Sequence, residues 1–287
     1  MSGPQDTQPA VRRLVAKTLG PWRLQLRNYY NKATYGPGTA RLHRFEDAEV
    51  ARLTAANPPP GAHVATIIVT YRRPKAVLRA IESALTQSFK DQVVLVMDDG
   101  GGLPELPADP RVLGYSLSAN SRRPSVVRNI GVRLSRSAYV AFLDDDNEWE
   151  PNHLGAALAA LERPTADQRP DLVYTALNRV FPDGTPLDIL SVPFDRRLLA
   201  RRGYIDTNSI VVRRCPHLIF SRMPLGDLKP PSDWELIWRM SRRHTVMHVD
   251  TPTVRYLVNP DSYFSDWQGD GVVQTEASTT QASHPRT

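Results

Sequence analysis

Apolar positions along the 287-residue chain follow two rhythms. "VATIIVTY" (64–71) and "QVVLVMDD" (92–99) are β-rich apolar runs without clear alternation, as strands covered on both faces require. Between them, "PKAVLRAIESALTQSF" (74–89) sets Leu78, Ile81, Leu85 and Phe89 on one helical stripe, and Pro74 suits a first turn. Strand, helix and strand within about 36 residues make a βαβ unit, and the right-handed crossover rule then makes the two strands parallel. The rhythm continues with a helix over "PSVVRNIGVRLSRS" (124–137) and a strand over "AYVAFL" (138–143). Further on, the pattern predicts a helix at 153–162, a strand at 171–180, a short helix at 195–202 and a strand at 208–214. The last helix is "SDWELIWRMSRR" (232–243), where Ser232 and Glu235 have capping-box spacing, and a strand "TVMHV" (245–249) follows. "NPPPGAH" (57–63) is a stiff break before the first strand, and the tail after 268 has little to bury and reads as disordered.

Composition adds bounds. Hydrophobic content of 41% allows one large α/β domain or two smaller ones. No run approaches the ~20 apolar residues of a membrane span, and "MSGPQDTQPA" lacks the apolar run of a secretory signal, so a soluble, cytoplasmic protein is expected. Cys215 is the single cysteine, which excludes an intrachain disulfide and a thiolate cluster. The net charge of +6 is local in large part, because residues 7–45 carry eight Arg and Lys and no acidic residue. Such an arm can lie on an anionic membrane surface, contact a polyanion, or dock on the main domain. No specific nucleic acid is expected.

Two predicted strands end in carboxylates, Asp98-Asp99 and Asp144-Asp145-Asp146. Ligands of open α/β sheets bind beyond the carboxyl ends of the strands, so both clusters face one crevice. They suit ligation of a hard cation or hydrogen bonds from a base or sugar, and a solvated turn is the bland alternative. An EF-hand fails because Trp149 occupies the position of the turning glycine, and zinc is disfavoured because the seven histidines show no HExxH or comparable spacing. Magnesium or manganese held by one or two carboxylates and substrate phosphates fits best.

These residues carry a resemblance. "IIVTYRR" (67–73), "VLVMDDGG" (94–101), "VRNIG" (127–131), "FLDDD" (142–146) and "SDWEL" (232–236) resemble, in order and spacing, the motifs of the inverting family 2 glycosyltransferases of the GT-A fold. Arg72 replaces the usual Asn, Gly101 the usual Ser and Ser232 a frequent Glu. The resemblance implies a Rossmann-like, mostly parallel twisted sheet flanked by helices, in a single catalytic domain with an N-terminal basic extension. The expected boundaries are 1–62 for the extension and linker, 63–267 for the domain, and 268–287 for the tail. Within the domain, 63–150 is the nucleotide-binding half and 151–267 the acceptor half.

It also implies roles. Thr70, Tyr71, Arg73, Asp98, Asp99, Arg128, Asp144 and Asp145 would bind a nucleotide diphosphate sugar, UDP-linked most often in this family. Asp99 would accept from the base imide, whereas Asp98 orders the neighbouring turn. Asp146, with Asp144, would hold Mn2+ or Mg2+, and Asp233 would be the general base, kept ionised by its place in a first helical turn. Trp234 and Trp238 read as core or pocket wall. The acceptor stays open among a small molecule, a lipid-linked sugar and a glycan end. Two other readings are a sugar-nucleotide nucleotidyltransferase, for which "TYRRPKAV" lacks a Gly-rich loop, and a polyanion- or membrane-binding protein, which leaves the acidic strand ends unexplained.

Overall fold

A computed structural model of the chain describes residues 35–162, 169–223, 232–258 and 272–274. The order is a helix α1 (35–56), β1 (Val64–Thr70), α2 (Pro74–Leu85), β2 (Gln92–Asp98), β3 (Val112–Ser116), α3 (Pro124–Leu134), β4 (Tyr139–Asp144), β5 (Glu148–Trp149) and α4 (His153–Glu162). Then come β6 (Leu172–Val180), β7 (Pro186–Leu190), α5 (Arg196–Leu199), β8 (Ile210–Arg213), α6 (Ser232–Met240), β9 (Val246–Leu257) and β10 (Val272–Gln274).

All ten strands join one sheet, in the path β10-β7-β6-β8-β4-β1-β2-β3, with β9 on β6 and β5 on β9. β4, β1, β2 and β3 are parallel neighbours, as the βαβ reading requires. Antiparallel β8 links that half to β6, which pairs in parallel with β9. The β1 and β2 residues are buried almost without exception, which is why their sequences do not alternate. Helices α2 and α3 cover the parallel half through Val77, Ile81, Val126 and Ile130. This is the expected α/β sheet of the GT-A class.

Three expectations need correction. Residues 35–56, placed in the extension, take the docked alternative: they form a helix whose Glu46 and Glu49 are buried in the domain with Leu53, so the packed unit starts well before residue 63. Glu46 accepts from Arg222 Nε at 2.8 Å and Asn129 Nδ2 at 3.0 Å, and Glu49 accepts from Ser118 N at 3.1 Å. The part of the basic arm before residue 35 lies outside the described residues. Second, the tail is not wholly unstructured, because Val272–Gln274 pairs antiparallel with β7. Third, Glu235 does not close a capping box; its carboxylate takes the Arg239 Nε proton at 2.9 Å. Among the described residues, no helix is long and apolar enough to cross a membrane.

Candidate active site

The register aligns the strand ends. Thr70 stands opposite Asp98, and Val69 opposite Asp144, so the acidic residues after β2 and β4 share one rim. Both turns from a strand into a helix along this rim read Arg-Arg-Pro: Arg72-Arg73-Pro74 and Arg122-Arg123-Pro124. In each, the first arginine has φ of 55° and the second is the non-helical residue before a first-turn proline. Proline excludes the helical conformation from the residue before it, which keeps Arg73 and Arg123 at the helix mouths.

Arg73 uses that position. Its Nη1 donates to Asp145 at 3.0 Å and Asp146 at 2.9 Å. Thr70 Oγ1 donates to the other oxygen of Asp145 at 2.7 Å. Asp145 is therefore a buried acceptor enclosed by protein, and burial raises its pKa against the opposing pull of Thr70 and Arg73. Asp144 and Asp146 are more open, at 31% and 41% side-chain exposure.

Asp98 is fully buried and accepts from the amides of Gly101 and Gly102 and from Ser116 Oγ at 2.5 Å. That makes it the organiser of the turn and removes it from the donor-contacting set. Asp99 accepts from the amides of Ser121 at 2.7 Å and Arg122 at 3.2 Å, so it holds the loop leading into α3. Burial raises its pKa. At Gly101 an added Cβ would lie 2.9 Å from Tyr71 Cδ2 and Arg72 Cγ, which accounts for glycine where the resemblance has serine. Tyr71 itself is 38% exposed at this edge.

Arg128, buried on α3, is the centre of a second group. One Nη bonds Asp144, whose other oxygen accepts from Asn208 Nδ2 at 3.4 Å. Its Nε is buried without a hydrogen-bond partner. Burial works against the guanidinium charge, but Asp144, Asp233 and Asp206 outweigh it and raise the pKa. Asp206 is absent from the sequence-based set. It is buried, accepts from Asn208 N at 2.8 Å and Nδ2 at 2.7 Å, and burial beside Asp144 and Asp233 pushes it up to about 7. Its sequence signal was "DTNS", an Asp two residues before an Asn, which marks a capped turn and gives no hint of charge coupling.

Asp233 falls in the first turn of α6, as expected, and accepts from Trp234 N at 2.8 Å. The expected depression of its pKa is not found. Burial raises it, and the Trp234 amide and Arg128 only moderate the rise. A cavity of about 650 Å³ runs beside it, lined by Arg122, Arg123, Arg128, Trp234, Glu235 and Trp238 among others. Trp234 is fixed by an Nε1 bond to Leu199 O at 2.6 Å, and Trp238 lies under the guanidiniums of Arg196 and Arg242, at 4.9 and 5.4 Å. Both tryptophans are thus pocket wall. Asn129 is a structural bracket: it donates to Glu46 and Phe220 O and accepts from Phe220 N.

The donor set fits a hard divalent cation. Asp144, Asp145, Asp146, Asp206 and Asp233 face two guanidiniums, those of Arg73 and Arg128. With Asp206 pushed up to about 7, the formal excess near neutral pH lies between two and three negative charges. The three rim aspartates do not converge into a cage. Magnesium-type sites need only one or two carboxylates with phosphates and water, and the open oxygens of Asp146 and Asp144 supply them.

An acidic rim on a parallel half-sheet, beside a cavity walled by α6, is an α/β architecture with ligand space at the carboxyl ends of its strands. The family model for glycosyl transferase family 2 matches residues 65–216, just over half of the chain, and the chain belongs to that family. Similar curated proteins include the amylovoran biosynthesis glycosyltransferase AmsB of Erwinia amylovora, 26% identical over 52% of this chain. Another is the putative colanic acid biosynthesis glycosyl transferase WcaA of Escherichia coli, 24% identical over 68% of this chain. The chain spans 54% of the first and 75% of the second. Solved structures share the fold. TarS of S. aureus in complex with UDP-GlcNAc gives a TM-score of 0.51 at 16% identity, over 72% of this chain and 61% of that one. The mannosyltransferase PcManGT of Pyrobaculum calidifontis with GDP-Man and Mn2+ gives 0.51 at 14% identity, over 81% and 70%.

Proposed function

We propose that the protein is a metal-dependent, inverting glycosyltransferase that moves a sugar from a nucleotide diphosphate donor, UDP-linked by preference, onto a growing polysaccharide repeat unit. The observation that carries this reading is Arg128: a buried guanidinium with an unpartnered Nε, lining the cavity and coupled to Asp144 and Asp233. A buried cationic donor left unsatisfied is costly unless an anionic ligand completes it.

In this reading Tyr71 lies along the base, Asp144 serves the ribose edge, Asp145 holds Thr70 and Arg73 in place beneath the donor, and Arg128, with Arg122 and Arg123, meets the phosphates. Asp146 and Asp144 hold Mn2+ or Mg2+, which neutralises charge on the departing diphosphate when bound. Asp233 accepts the proton of the acceptor hydroxyl as that oxygen forms its bond to the anomeric carbon. The bond from that carbon to the diphosphate breaks on the opposite face, and the nucleoside diphosphate leaves with the electron pair. Burial suits Asp233 to this task, since a raised pKa makes it a stronger base once ionised. The curated relatives named for amylovoran and colanic acid biosynthesis support a polysaccharide acceptor.

The test is nucleoside diphosphate release from a panel of sugar nucleotides, with a polysaccharide-repeat acceptor, in Mn2+, Mg2+ or EDTA. Asp233→Asn is expected to lower transfer at least a hundredfold with donor binding retained, within the ~10²–10⁴-fold range of a positioned base. Asp146→Ala should abolish the response to cation. Release that is indifferent to EDTA and to both substitutions refutes the reading.

A further inference from the structure

Outside the rim, a second cluster of metal-ligating side chains gathers where β8 ends and the chain leaves α6. Cys215 and His217 follow β8, and His244 follows α6. Cys215 Sγ is 3.8 Å from His244 Nε2, and His217 Nδ1 is 2.9 Å from the same nitrogen. All three ligand atoms lie within 4.8 Å of one another. A tetrahedral zinc ion with Zn–S near 2.3 Å and Zn–N near 2.0 Å would separate its ligands by about 3.6 Å for S to N and about 3.4 Å for N to N. The observed spacings sit within about half an ångström of those values for both measured pairs.

A second observation points the same way. His244 Nδ1 lies 3.1 Å from Asp171 Oδ2, at the entrance to β6. Donation to that carboxylate fixes the tautomer with the proton on Nδ1 and leaves the Nε2 lone pair facing Cys215 and His217. A carboxylate behind a histidine is the usual outer support of a histidine that ligates a metal. We infer that Cys215, His217 and His244 form a zinc site, with Asp171 orienting His244 and water in the fourth position. The one-sulfur, two-nitrogen set is chemically unlike the oxygen rim at Asp144 to Asp146, so the two sites select different ions. Sequence spacing concealed it, because His244 lies 27 residues beyond His217 and 29 beyond Cys215, and the thiolate is single.

The site ties the end of β8 to the chain just after α6, whose first turn carries Asp233. Arg239 of α6 already reaches the His217 carbonyl at 2.9 Å, so zinc would add a covalent-strength tie to a contact of the same pair of segments. The competing arrangement is a metal-free relay. Arg243 Nη1 lies 3.0 Å from His217 Nε2, and a chain of donors can run from Arg243 through His217 and His244 to Asp171. Zinc on His217 Nδ1 places a proton on Nε2 and requires the exposed Arg243 to turn away.

The two arrangements are separated on the full chain after chelator treatment and dialysis. One equivalent of Zn2+ is expected to bind by calorimetry, and Co2+ in its place to give thiolate-to-cobalt absorption in the near ultraviolet. Cys215 is the only thiol, so its reaction with a disulfide reagent reads the site directly, and zinc is expected to slow it at least tenfold. Asp171→Asn should weaken zinc binding about 10- to 100-fold. His244→Gln should remove both the protection and the cobalt band, whereas Asp146→Ala at the rim should preserve them. Equal Cys215 reactivity with and without zinc, together with no thiolate-to-cobalt absorption in the wild-type protein, overturns the proposal and leaves the relay. The wild-type readings decide the matter even where a variant fails to fold.

Discussion

Asp206 and His153 make opposite demands on pH, and their overlap gives a sharp test of the buried electrostatics. Asp206 is pushed up to about 7 from 3.8, chiefly by burial. His153 is wholly buried, stacked on Trp149 at 4.3 Å with Nδ1 on Thr253 Oγ1, and burial lowers it to about 3 from 6.5. For Asp206 the folded state keeps a proton that the unfolded state has lost. Its stabilising contribution is complete below about pH 4 and is lost as pH rises to about 7, a change of about 4 kcal/mol at 1.36 kcal/mol per unit. For His153 the unfolded state takes a proton that the folded state refuses. Its contribution is complete above about pH 6.5 and is lost as pH falls toward 3, a change of about 5 kcal/mol by the same conversion.

Between about pH 4 and 6.5 the two slopes are nearly equal and opposite, each about 1.4 kcal/mol per pH unit, so they cancel in the wild-type protein. Asp206→Asn removes one of them. Asparagine keeps the acceptor that Asn208 uses and cannot titrate. Relative to wild type, the variant should lose about 3 kcal/mol of stability on going from pH 6.5 to pH 4. Urea unfolding followed by tryptophan fluorescence, at half-unit steps without added divalent cation, measures the difference curve. Groups common to both proteins drop out of it. Wild-type and variant curves that stay parallel across the window refute the coupling assigned to Asp206.

His153→Gln should show the mirror image, a relative gain of similar size on acidification, in the same urea series. Arg179 and Asp188 form a fully buried two-point pair across β6 and β7, at 2.5 and 2.6 Å, so Asp188→Ala should cost about 3–5 kcal/mol, while the double change Arg179→Met with Asp188→Leu recovers most of it. Glu46→Ala strands Arg222 and removes one of the acceptors of Asn129 Nδ2, and should cost about 3 kcal/mol, read as a lower urea midpoint. Arg72→Asn, at a φ of 55°, should raise stability by up to about 1 kcal/mol, because asparagine tolerates the left-handed region better; an unchanged or lower midpoint counts against strain there.

The elements legible in the sequence are those whose burial and periodicity agree. β1, β2 and β4 are apolar throughout because both faces are covered, and α2 and α3 announce themselves by a proline and a stripe. α1 was unreadable for the converse reason: its inward stripe, Leu42, Phe45, Glu46, Glu49, Val50 and Leu53, contains two glutamates whose partners are supplied by Asn129, Arg222 and Ser118 far along the chain. β7 hid in the same way, since "PLDIL" has a charge on its buried face that only Arg179 explains. β3 is a half-buried edge strand interrupted by Gly114. At the site, the carboxylates that gather at the rim were legible from type and order. Asp206 was not, because its significance comes from burial beside Asp144 and Asp233, which is a property of the fold.

That burial changes what the acidic rim is. Carboxylates at strand ends in open solvent would each titrate near their ordinary value and repel one another weakly through water. Here Asp145, Asp206 and Asp233 are all raised, first by burial, while Arg128 is held charged by the carboxylates around it. One guanidinium on α3 therefore sets the balance for the end of β4, the turn before β8 and the first turn of α6 together. An anion arriving at the unpartnered Arg128 Nε competes with Asp144 and Asp233 for the same positive charge. Weakening that hold raises the proton affinity of Asp233, the direction a general base requires. Under the proposed function, donor binding and base strength are thus coupled through a single buried side chain, with no movement of the backbone needed to link them.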